Sequence, residues 1–331
     1  MDIKQLIGEA TDYDKKVALE EKKPKSWCKS ISAFANCYGG KLVFGVANDD
    51  ALVGLSDAEG DAEKISEIIK THLNPIPEFK LSFEKDHLMN GINIVLKAVP
   101  SKTTMPILEC ILIDAVSDEI KLTGNDMELG IETKVEGTIL ERGKIALDAK
   151  LFSDIIRKLS GENSTITIES DEKYNTTITC DKAIFQIQGK DGDEFSYIPH
   201  IERDKFITLS QFTLKEIIRQ TIFSISPNDS NKMMTGELME VTGNELKVVS
   251  LDGHRMSIRK VALKEQYDDI KVIVPGKTLG EISKILNGDN EKDVRIYFSK
   301  NHILFEFDDT VVVSRLIEGE YFRIDQMLSS A

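Results

Sequence analysis

The spacing of hydrophobic and polar residues changes along this chain, and it predicts a mixture of strands and helices. Residues 165–169 and 294–298 alternate apolar and polar side chains with a period of two, which is typical of half-buried β-strands. Runs of strands with two helices on one side favour an α+β fold. Apolar residues at helical spacing predict four helices, over 85–98, 149–160, 213–223 and 276–287. The second helix should bury a stripe of Leu151, Ile155, Ile156 and Leu159.

Part of this pattern occurs twice. The run that ends at Asp126 returns in the run that ends at Asp252, at an offset of 252 − 126 = 126 residues. The segment that begins at Lys150 returns at nearly the same offset, beginning at Lys277. A repeat of this length suits a whole domain and is too long for a solenoid unit. We therefore predict two tandem copies of one α+β domain, with helices on one face of antiparallel sheets, over 79–201 and 202–331.

Residues 1–78 lack this repeat and predict a small α/β domain. The charged stretch 2–21 favours a helix, and Ser26 would cap a second helix over 27–36. The apolar run 41–47 predicts a buried strand. The remaining predicted elements are a short strand at 52–55 and an amphipathic helix at 61–73.

The composition is that of an ordinary globular protein. Of 331 residues, 41% are hydrophobic and 30% charged, and no apolar run is long enough to span a bilayer. The N-terminus lacks a basic start followed by an apolar core, so no signal peptide is expected. Four scattered cysteines favour reduced thiols in the cytoplasm and argue against a zinc site. The net charge of −14, taken alone, argues weakly against a polyanionic partner.

Cations at helical spacing stand out against this acidic composition. Lys150 and Arg157 share one helix face, and Lys215 and Arg219 share another. If the two copies pack side by side, these side chains form one basic lane that suits a phosphate backbone. On spacing alone, an ordinary solvated lysine face is the favoured interpretation. The lane would contain Lys150, Arg157, Lys158, Lys215, Arg219, Lys277 and Lys284.

Five motifs in residues 79–331 carry a resemblance to a known family. They are KAVPSKTTMPIL at 97–108, LTGNDMEL at 122–129, LDGHRM at 251–256, VIVPGK at 272–277 and SRLIEGEY at 314–321. In this order they resemble the first two domains of the bacterial DNA sliding clamp, the beta subunit of DNA polymerase III. The resemblance implies a non-catalytic ring in which helices line a hole, sheets form the outer wall and double-stranded DNA threads through. DNA would be bound through phosphate charge, independently of base sequence.

The resemblance also favours the basic lane as the lining of this hole. It adds Lys102, which matches a basic DNA-contacting loop residue of the family's first domain. Asn228 and Lys232 match positions on the DNA-side loop of the second domain. The expected DNA-binding residues are Lys97, Lys102, Lys150, Arg157, Lys158, Lys215, Arg219, Asn228, Lys232, Lys277 and Lys284.

The family's second activity is to dock a short peptide, from the DNA polymerase III alpha subunit or the clamp loader, in an apolar pocket. Methionine-rich surfaces suit varied partners because the thioether chain is flexible. No motif places a nucleophile or an acid beside His254, so no catalytic residue, metal or cofactor is expected. The matching pocket positions are Met234, Leu251, Gly253, His254, Arg255, Met256, Phe322, Gln326 and Met327.

Members of the family have three domains per chain and close as dimeric rings. This sequence ends at Ala331, about where a third domain would begin, so the third domain is expected to be absent. In the family that domain supplies the other wall of the peptide pocket and one side of the dimer interface. Self-association into a ring and partner docking are therefore left open at this point.

Residues 1–78 carry a second resemblance. The pattern AFAN…GG…GV at 33–46 is similar to the Alba-like, Schlafen-type DNA-binding domain, of which this segment would be a part. In some relatives carboxylates of this domain cut RNA, and the candidates here are Glu9, Asp12 and Asp14. A charged, solvated helix face is the favoured interpretation of these three residues. The alternatives to a clamp are therefore a Schlafen-type regulator, a metal-dependent ribonuclease, or a non-functional chimeric reading frame joined at 78–83.

Overall fold

The computed structural model divides the chain into two compact units, Met1–Ile76 and Pro77–Ala331. Within the described residues, no helix is both long and apolar enough to cross a membrane. The described residues are 13–20, 23–35, 41–47, 51–58, 60–62, 64–65, 68, 79–159, 164–227, 231–289 and 291–329.

The N-terminal unit contains a short parallel sheet and a helix that packs on it. Strand β1 (Tyr13–Lys16) pairs in parallel with β2 (Lys41–Phe44), and helix α1 (Lys25–Ala35) contacts β2. Trp27 is fully buried and stands edge-on to the ring of Phe44, with 5.8 Å between the ring centroids. This aromatic contact holds the helix against the strand.

Two predictions for this unit are wrong. The helix predicted over 2–21 gives way at 13–16 to β1, because pairing with β2 overrides the helical preference of a charged stretch. Residues 2–12 of that prediction lie outside the described residues. Ser26 is not a helix cap, since α1 begins at Lys25, and its hydroxyl instead donates to Glu20 over 2.8 Å.

The second half of this unit is described in part. The strand predicted at 52–55 is a single bridge between Val46 and Leu52. Of the helix predicted over 61–73, positions 61, 62, 64, 65 and 68 are helical, and the others lie outside the described residues.

The larger unit consists of antiparallel sheets and four longer helices among its described residues. The first half contains β3 (Phe79–Glu84), α2 (Lys85–Val95), β4 (Cys110–Asp114), β5 (Ile120–Asn125), β6 (Leu129–Val135), β7 (Thr138–Glu141), β8 (Lys144–Asp148), α3 (Ala149–Lys158), β9 (Thr165–Ser170), β10 (Asn175–Cys180), β11 (Ala183–Gln188) and β12 (Lys190–Asp191). The second half contains β13 (Phe206–Ser210), α4 (Gln211–Thr221), β14 (Gly236–Leu251), β15 (Met256–Pro275), α5 (Gly276–Ile285), β16 (Asp293–Phe298), β17 (His302–Phe307), β18 (Thr310–Arg315) and the short α6 (Ile324–Ser329).

These strands form three sheets. One has five strands in the order β11-β10-β9-β3-β7, and β14 and β15 form a long two-stranded hairpin. The third has nine strands in the order β12-β8-β4-β5-β6-β18-β17-β16-β13, so it draws strands from both halves of the unit. The predicted α+β class, with helices packed on antiparallel sheets, is confirmed.

Turn geometry shows that the two halves are copies of one fold. Met127 and Gly253, 126 positions apart, both have positive φ, at 74° and 87°. Asp181 and Asp308 also match, with φ of 50° and 46° in the turns that precede β11 and β18. Strand β11 is therefore the counterpart of β18, and residues 255–261 are the counterpart of β6. The limits of 79–201 and 202–331 remain predictions.

The two copies are joined through the middle of the nine-stranded sheet. Strand β6 of the first copy pairs antiparallel with β18 of the second, with Thr133 opposite Thr310 and Leu129 opposite Ser314. The hydroxyls of Thr133 and Thr310 are hydrogen-bonded over 2.9 Å. Backbone hydrogen bonds therefore cross the boundary between the copies.

The four longer helices bury their apolar faces in one cluster with the sheets. Helix α2 lies against β5 and β6, where Gly124 allows close contact: a Cβ there would stand 2.4 Å from the carbonyl oxygen of Val95. The predicted stripe on α3 is wrong at one position, because Leu151 is 47% exposed. The residues that α3 buries are Ala149, Phe152, Ser153, Ile155 and Ile156.

Candidate nucleic-acid interface and docking groove

The four longer helices are neighbours across the boundary between the copies. Helix α2 packs on α3 in the first copy, and α4 packs on α5 in the second. A cavity of about 520 Å³ lies between α2 and α5, lined by Asn93 and Lys97 on one side and by Lys284 and Asn287 on the other. The helices therefore follow the order α3, α2, α5, α4. We call the surface they present the helix face.

Several of the predicted DNA-binding cations are available to a ligand. Lys102, Lys150 and Lys158 are exposed and Lys97 is half-buried. Within the described residues, none of these four has a carboxylate partner at ion-pair distance. Lys232 is also exposed, on the single 3₁₀ turn Lys232–Thr235. Asn228 lies outside the described residues.

Three other predicted cations are paired with a carboxylate one turn away. Arg219 donates two hydrogen bonds to Glu216, at 2.9 and 2.7 Å, and these lower the pKa of the Glu216 carboxyl. Lys284 donates to Glu281 over 2.8 Å, and Arg157 lies 3.3 Å from its partner in the same way. Exposed pairs of this kind contribute at most about 1 kcal/mol, so a phosphate can replace the carboxylate at small cost.

Lys215 and Lys277 have structural partners that their spacing did not predict. Lys215 donates to the carbonyl oxygen of Leu286 over 2.7 Å and so satisfies the C-terminal end of α5. Lys277 forms an ion pair with Asp126, which lies in the turn between β5 and β6 of the other copy. Lys215 therefore stabilises the second copy internally, and Lys277 links it to the first, whatever they contribute to a ligand.

A second surface, on the face of the β14–β15 hairpin away from the helices, gathers four predicted pocket residues. Leu251 is buried there in a small cluster, and Met234, Met256 and Phe322 pack against it. We call this surface the methionine groove. The other members of the cluster are Leu238, Val249, Ile273, Tyr321 and Ile324, with Met233 and Ile317 packed against them.

The turn after β14 positions three more predicted residues at the rim of the groove. The Asp252 carboxylate accepts the backbone N–H groups of His254 and Arg255 over 3.0 and 3.1 Å, and these hydrogen bonds lower its pKa. Gly253 has a positive φ that this tight turn requires. Arg255 donates to Asp252 over 2.8 Å and lies 6.0 Å from the ring centre of Phe223.

A cavity adjoins the groove and contains two of the predicted pocket residues, Phe322 and Gln326. It encloses about 1030 Å³ between the outer face of the hairpin and the segment that leads into α6. Tyr321, Phe322 and Gln326 line it, whereas Met327 lies exposed on α6. Tyr321 donates to the carbonyl oxygen of Val249 over 3.3 Å, so its ring is fixed at the base. The sequence signal for Tyr321 is its place at the end of the SRLIEGEY motif.

Candidate catalytic groups of the N-terminal unit are engaged in local contacts. Asp14 lies on β1, accepts a hydrogen bond from Ser30 and pairs with Lys16 over 2.9 Å. Glu9 and Asp12 lie outside the described residues. Among the residues that the structure describes, no group of three His, Cys, Asp or Glu side chains could hold a metal ion.

The fold and these two surfaces define a two-copy clamp architecture, and comparisons with known proteins place it in a family. Residues 79–199 match the N-terminal domain of the DNA polymerase III beta subunit, and residues 208–322 match its central domain. Residues 9–113 match the Schlafen AlbA_2 family, so the matches overlap over 79–113. The chain belongs to the DNA polymerase III beta subunit family, the bacterial sliding clamps.

Individual relatives agree with this assignment. The beta sliding clamps of Staphylococcus epidermidis and Staphylococcus aureus are 36% identical over 250 residues, which cover 73% of this chain and 66% of theirs. A crystal structure from Eubacterium rectale, assigned as a DNA polymerase III beta subunit, is 64% identical and has a TM-score of 0.74. The match covers 76% of this chain and 69% of that chain. The crystal structure of the Bacillus subtilis sliding clamp is 36% identical, with a TM-score of 0.72. The match covers 76% of this chain and 67% of that chain. The chain thus spans 66% of the length of its curated relatives.

Proposed function

We propose that this chain acts as a DNA sliding clamp subunit, a non-catalytic processivity factor that holds duplex DNA against its helix face in the cytoplasm. The observation that carries this proposal is that four helices from two fold copies are neighbours, while one nine-stranded sheet joins the copies. The names of its relatives support the same function.

The charge distribution agrees with binding that ignores base sequence. The chain carries a net charge of −14, so most of its surface repels a polyanion. Lys97, Lys150 and Lys158 supply unpaired cations on the helix face, where they can replace counterions on phosphates. Side chains that contact only phosphates orient the duplex and are equivalent at every base pair, because they read no bases. The bound chain can therefore move along the DNA.

Retention on circular DNA is the test of this proposal. We expect the chain to co-elute with nicked circular plasmid in gel filtration at about 0.1 M salt and to be lost after the plasmid is linearised, because a clamp slides off free ends. Equal retention on circular and linear plasmid would show side-on binding, and no retention on either would exclude the function.

We further propose that the methionine groove docks a short apolar peptide from the DNA polymerase III alpha subunit or from the clamp loader. The groove offers the flexible thioether of Met256 and the aromatic ring of Phe322, and both pack against the buried cluster that contains Leu251. Such a pocket gains most of its binding energy where an anchor side chain is fully desolvated.

Griselimycin is a suitable probe of this groove, because a sliding clamp from Bartonella birtlesii, 26% identical, was crystallised with it. We expect Phe322→Ala to weaken its binding at least tenfold in calorimetry, since loss of an aromatic anchor costs about 2 kcal/mol and each 1.4 kcal/mol is about tenfold. Phe206→Ala is the matched control, as Phe206 packs on Tyr297 elsewhere. Equal losses in both variants would place the ligand outside the groove.

A further inference from the structure

Strand β14, which carries the methionine groove, is folded back on itself near its midpoint. Its register with β15 shifts there, and Lys247 lies 3.2 Å from Glu240. Seven residues of extended strand span about 23 Å, so this ion pair requires the strand to double back. The first arm, 236–241, and the second arm, 246–251, therefore lie side by side.

Each arm has one face toward the groove and one toward α4. Leu238 on the first arm and Val249 on the second belong to the apolar cluster of the methionine groove. Glu237 and Ser250, one position away, point to the opposite side. There the Thr221 hydroxyl lies 2.9 Å from Glu237 Oε2, and the Ser250 hydroxyl donates to the Thr221 carbonyl oxygen over 2.6 Å. Both arms are therefore tied to the last residue of α4.

The turn that follows α4 also braces the rim of the groove. The hydroxyls of Ser224 and Ser257 are hydrogen-bonded over 2.6 Å, at the start of β15. The ring of Phe223 lies 6.0 Å from the guanidinium of Arg255. The end of α4 therefore supports both the base and the rim of the methionine groove.

Glu237 is an ionisable member of this support. Its side chain is fully buried, and its Oε1 has no hydrogen-bond partner among the described residues. Thr221 on α4, the apolar Val274 opposite on β15 and the titratable Tyr321 on the segment before α6 surround it. Burial, and then the charge of Glu237, raise the pKa of the Tyr321 phenol, so this charge is felt at the base of the groove.

We propose that Glu237 is a positioning residue for the methionine groove, which accepts an apolar ligand while this carboxyl is neutral and loses affinity when it ionises. A neutral carboxyl can accept the hydrogen bond of Thr221 and also donate one. A carboxylate there is an unpaired buried charge, which has to draw in water or move away from α4. Either response separates β14 from its support. The inference rests on the proposed docking function, since it names what controls the same groove.

The affinity of the natural chain for griselimycin should fall about tenfold between pH 6 and pH 9, because apparent affinity scales with the competent fraction. Burial raises the pKa of Glu237 to about 8, so at pH 9 roughly a tenth of these carboxyls keep their proton. Glu237→Gln cannot ionise and should bind equally at both pH values. Glu245→Gln, which changes a surface pair with Lys260 on the same strand, should follow the natural chain.

Thr221→Val adds a readout that a purely structural role would not move. The Thr221 hydroxyl stabilises the charged form of Glu237 and opposes the effect of burial on its pKa. Loss of this donor should therefore raise the pH at which the affinity for griselimycin begins to fall. The same pH as in the natural chain, or a lower one, would contradict the proposed role of Glu237.

Hydrogen exchange without ligand separates this inference from docking. The natural chain and Glu237→Gln are compared at the same pH, which cancels the chemical exchange rate. At pH 9 the segment 317–324, beside the groove, should exchange roughly fivefold faster in the natural chain, and the ratio for 165–180 in the first copy should be smaller. At pH 6 the two chains should match.

Each result decides one of the two proposals. Absence of griselimycin binding at pH 6 would reject docking in the groove, and hydrogen exchange would still test Glu237. A flat affinity profile in the natural chain, an equal fall in Glu237→Gln, or equal exchange ratios for 317–324 and 165–180 would overturn the positioning role. Circular dichroism at each pH ensures that affinities refer to folded protein.

Discussion

Glu237→Gln should raise the free energy of unfolding at pH 9 while leaving it nearly unchanged at pH 4. Glu237 is fully buried beneath α4, and burial raises the pKa of its carboxyl from 4.5 to about 8. Its Oε1 has no hydrogen-bond partner among the described residues. The Thr221 hydroxyl lies 2.9 Å from both Glu237 Oε2 and the carbonyl oxygen of Ile217, with one proton to donate. A neutral carboxyl can supply the second hydrogen bond, and a carboxylate cannot.

The direction in which pH changes the free energy of unfolding follows from proton linkage. Between pH 4.5 and about 8 the folded chain keeps a proton that the unfolded chain has released, so the stability from this group is complete below pH 4.5 and is lost as pH rises through 8. At about 1.4 kcal/mol per pKa unit the loss is on the order of 5 kcal/mol. Glutamine has no proton to lose, so its variant escapes this decline.

Urea unfolding of both chains from pH 4 to pH 9 measures the effect. The difference between the two free energies should widen through this window and level off above pH 8. Glu245→Gln is the matched control, because Glu245 lies on the same strand in a surface pair with Lys260 at 2.9 Å. Parallel profiles for the natural chain and Glu237→Gln would mean that Glu237 does not retain its proton in the folded state.

Reversal of two helix-face charges should produce the largest change in DNA binding. We expect the double variant Lys97→Glu, Lys150→Glu to bind a short duplex roughly tenfold more weakly at low salt, because two phosphate contacts become repulsive. The slope of log affinity against log salt should fall by about 1.8, which is about 0.9 for each contact. Fluorescence anisotropy on two unrelated duplex sequences measures both quantities and shows whether base sequence matters.

A control variant with the same change in net charge shows whether DNA responds to contacts on the helix face or only to the total charge of the protein. Lys271→Glu, Lys300→Glu alters two lysines that line the large cavity on the outer face of the hairpin. This variant should keep the natural slope and lose little affinity. If both double variants behaved alike, the helix face would have no special role and DNA would respond only to total charge.

The sequence predicted the architecture of the larger unit because its signals are local and repeated. Helical and alternating patterns gave the main helices and strands to within a few residues, and the return of Asp126 as Asp252 disclosed the second copy. The error at Leu151 arose because it lies one position before the buried stripe of α3, and packing rather than hydrophobicity decides which side faces the sheet. Strand β1 was missed because its pairing partner, β2, lies about one helix away along the chain.

The sites were less predictable, since they depend on contacts between distant segments. The family resemblance named four residues that share the apolar cluster of the methionine groove, but the ion pair between Lys277 and Asp126 depends on how the copies meet. From the sequence alone, Glu237 would be predicted to be an ordinary exposed carboxylate. Its environment is created by Thr221 and the strands around it, which no local pattern encodes.

The backbone ladder between β6 and β18 also limits where the larger unit can bend. To separate the copies at that seam would break a row of main-chain hydrogen bonds inside one sheet, together with the ion pair of Lys277 and the Thr133–Thr310 contact. The seam is therefore a poor hinge, and we expect the two copies to move together. In the clamp function proposed above, the double helix would therefore have to enter at a point other than this seam.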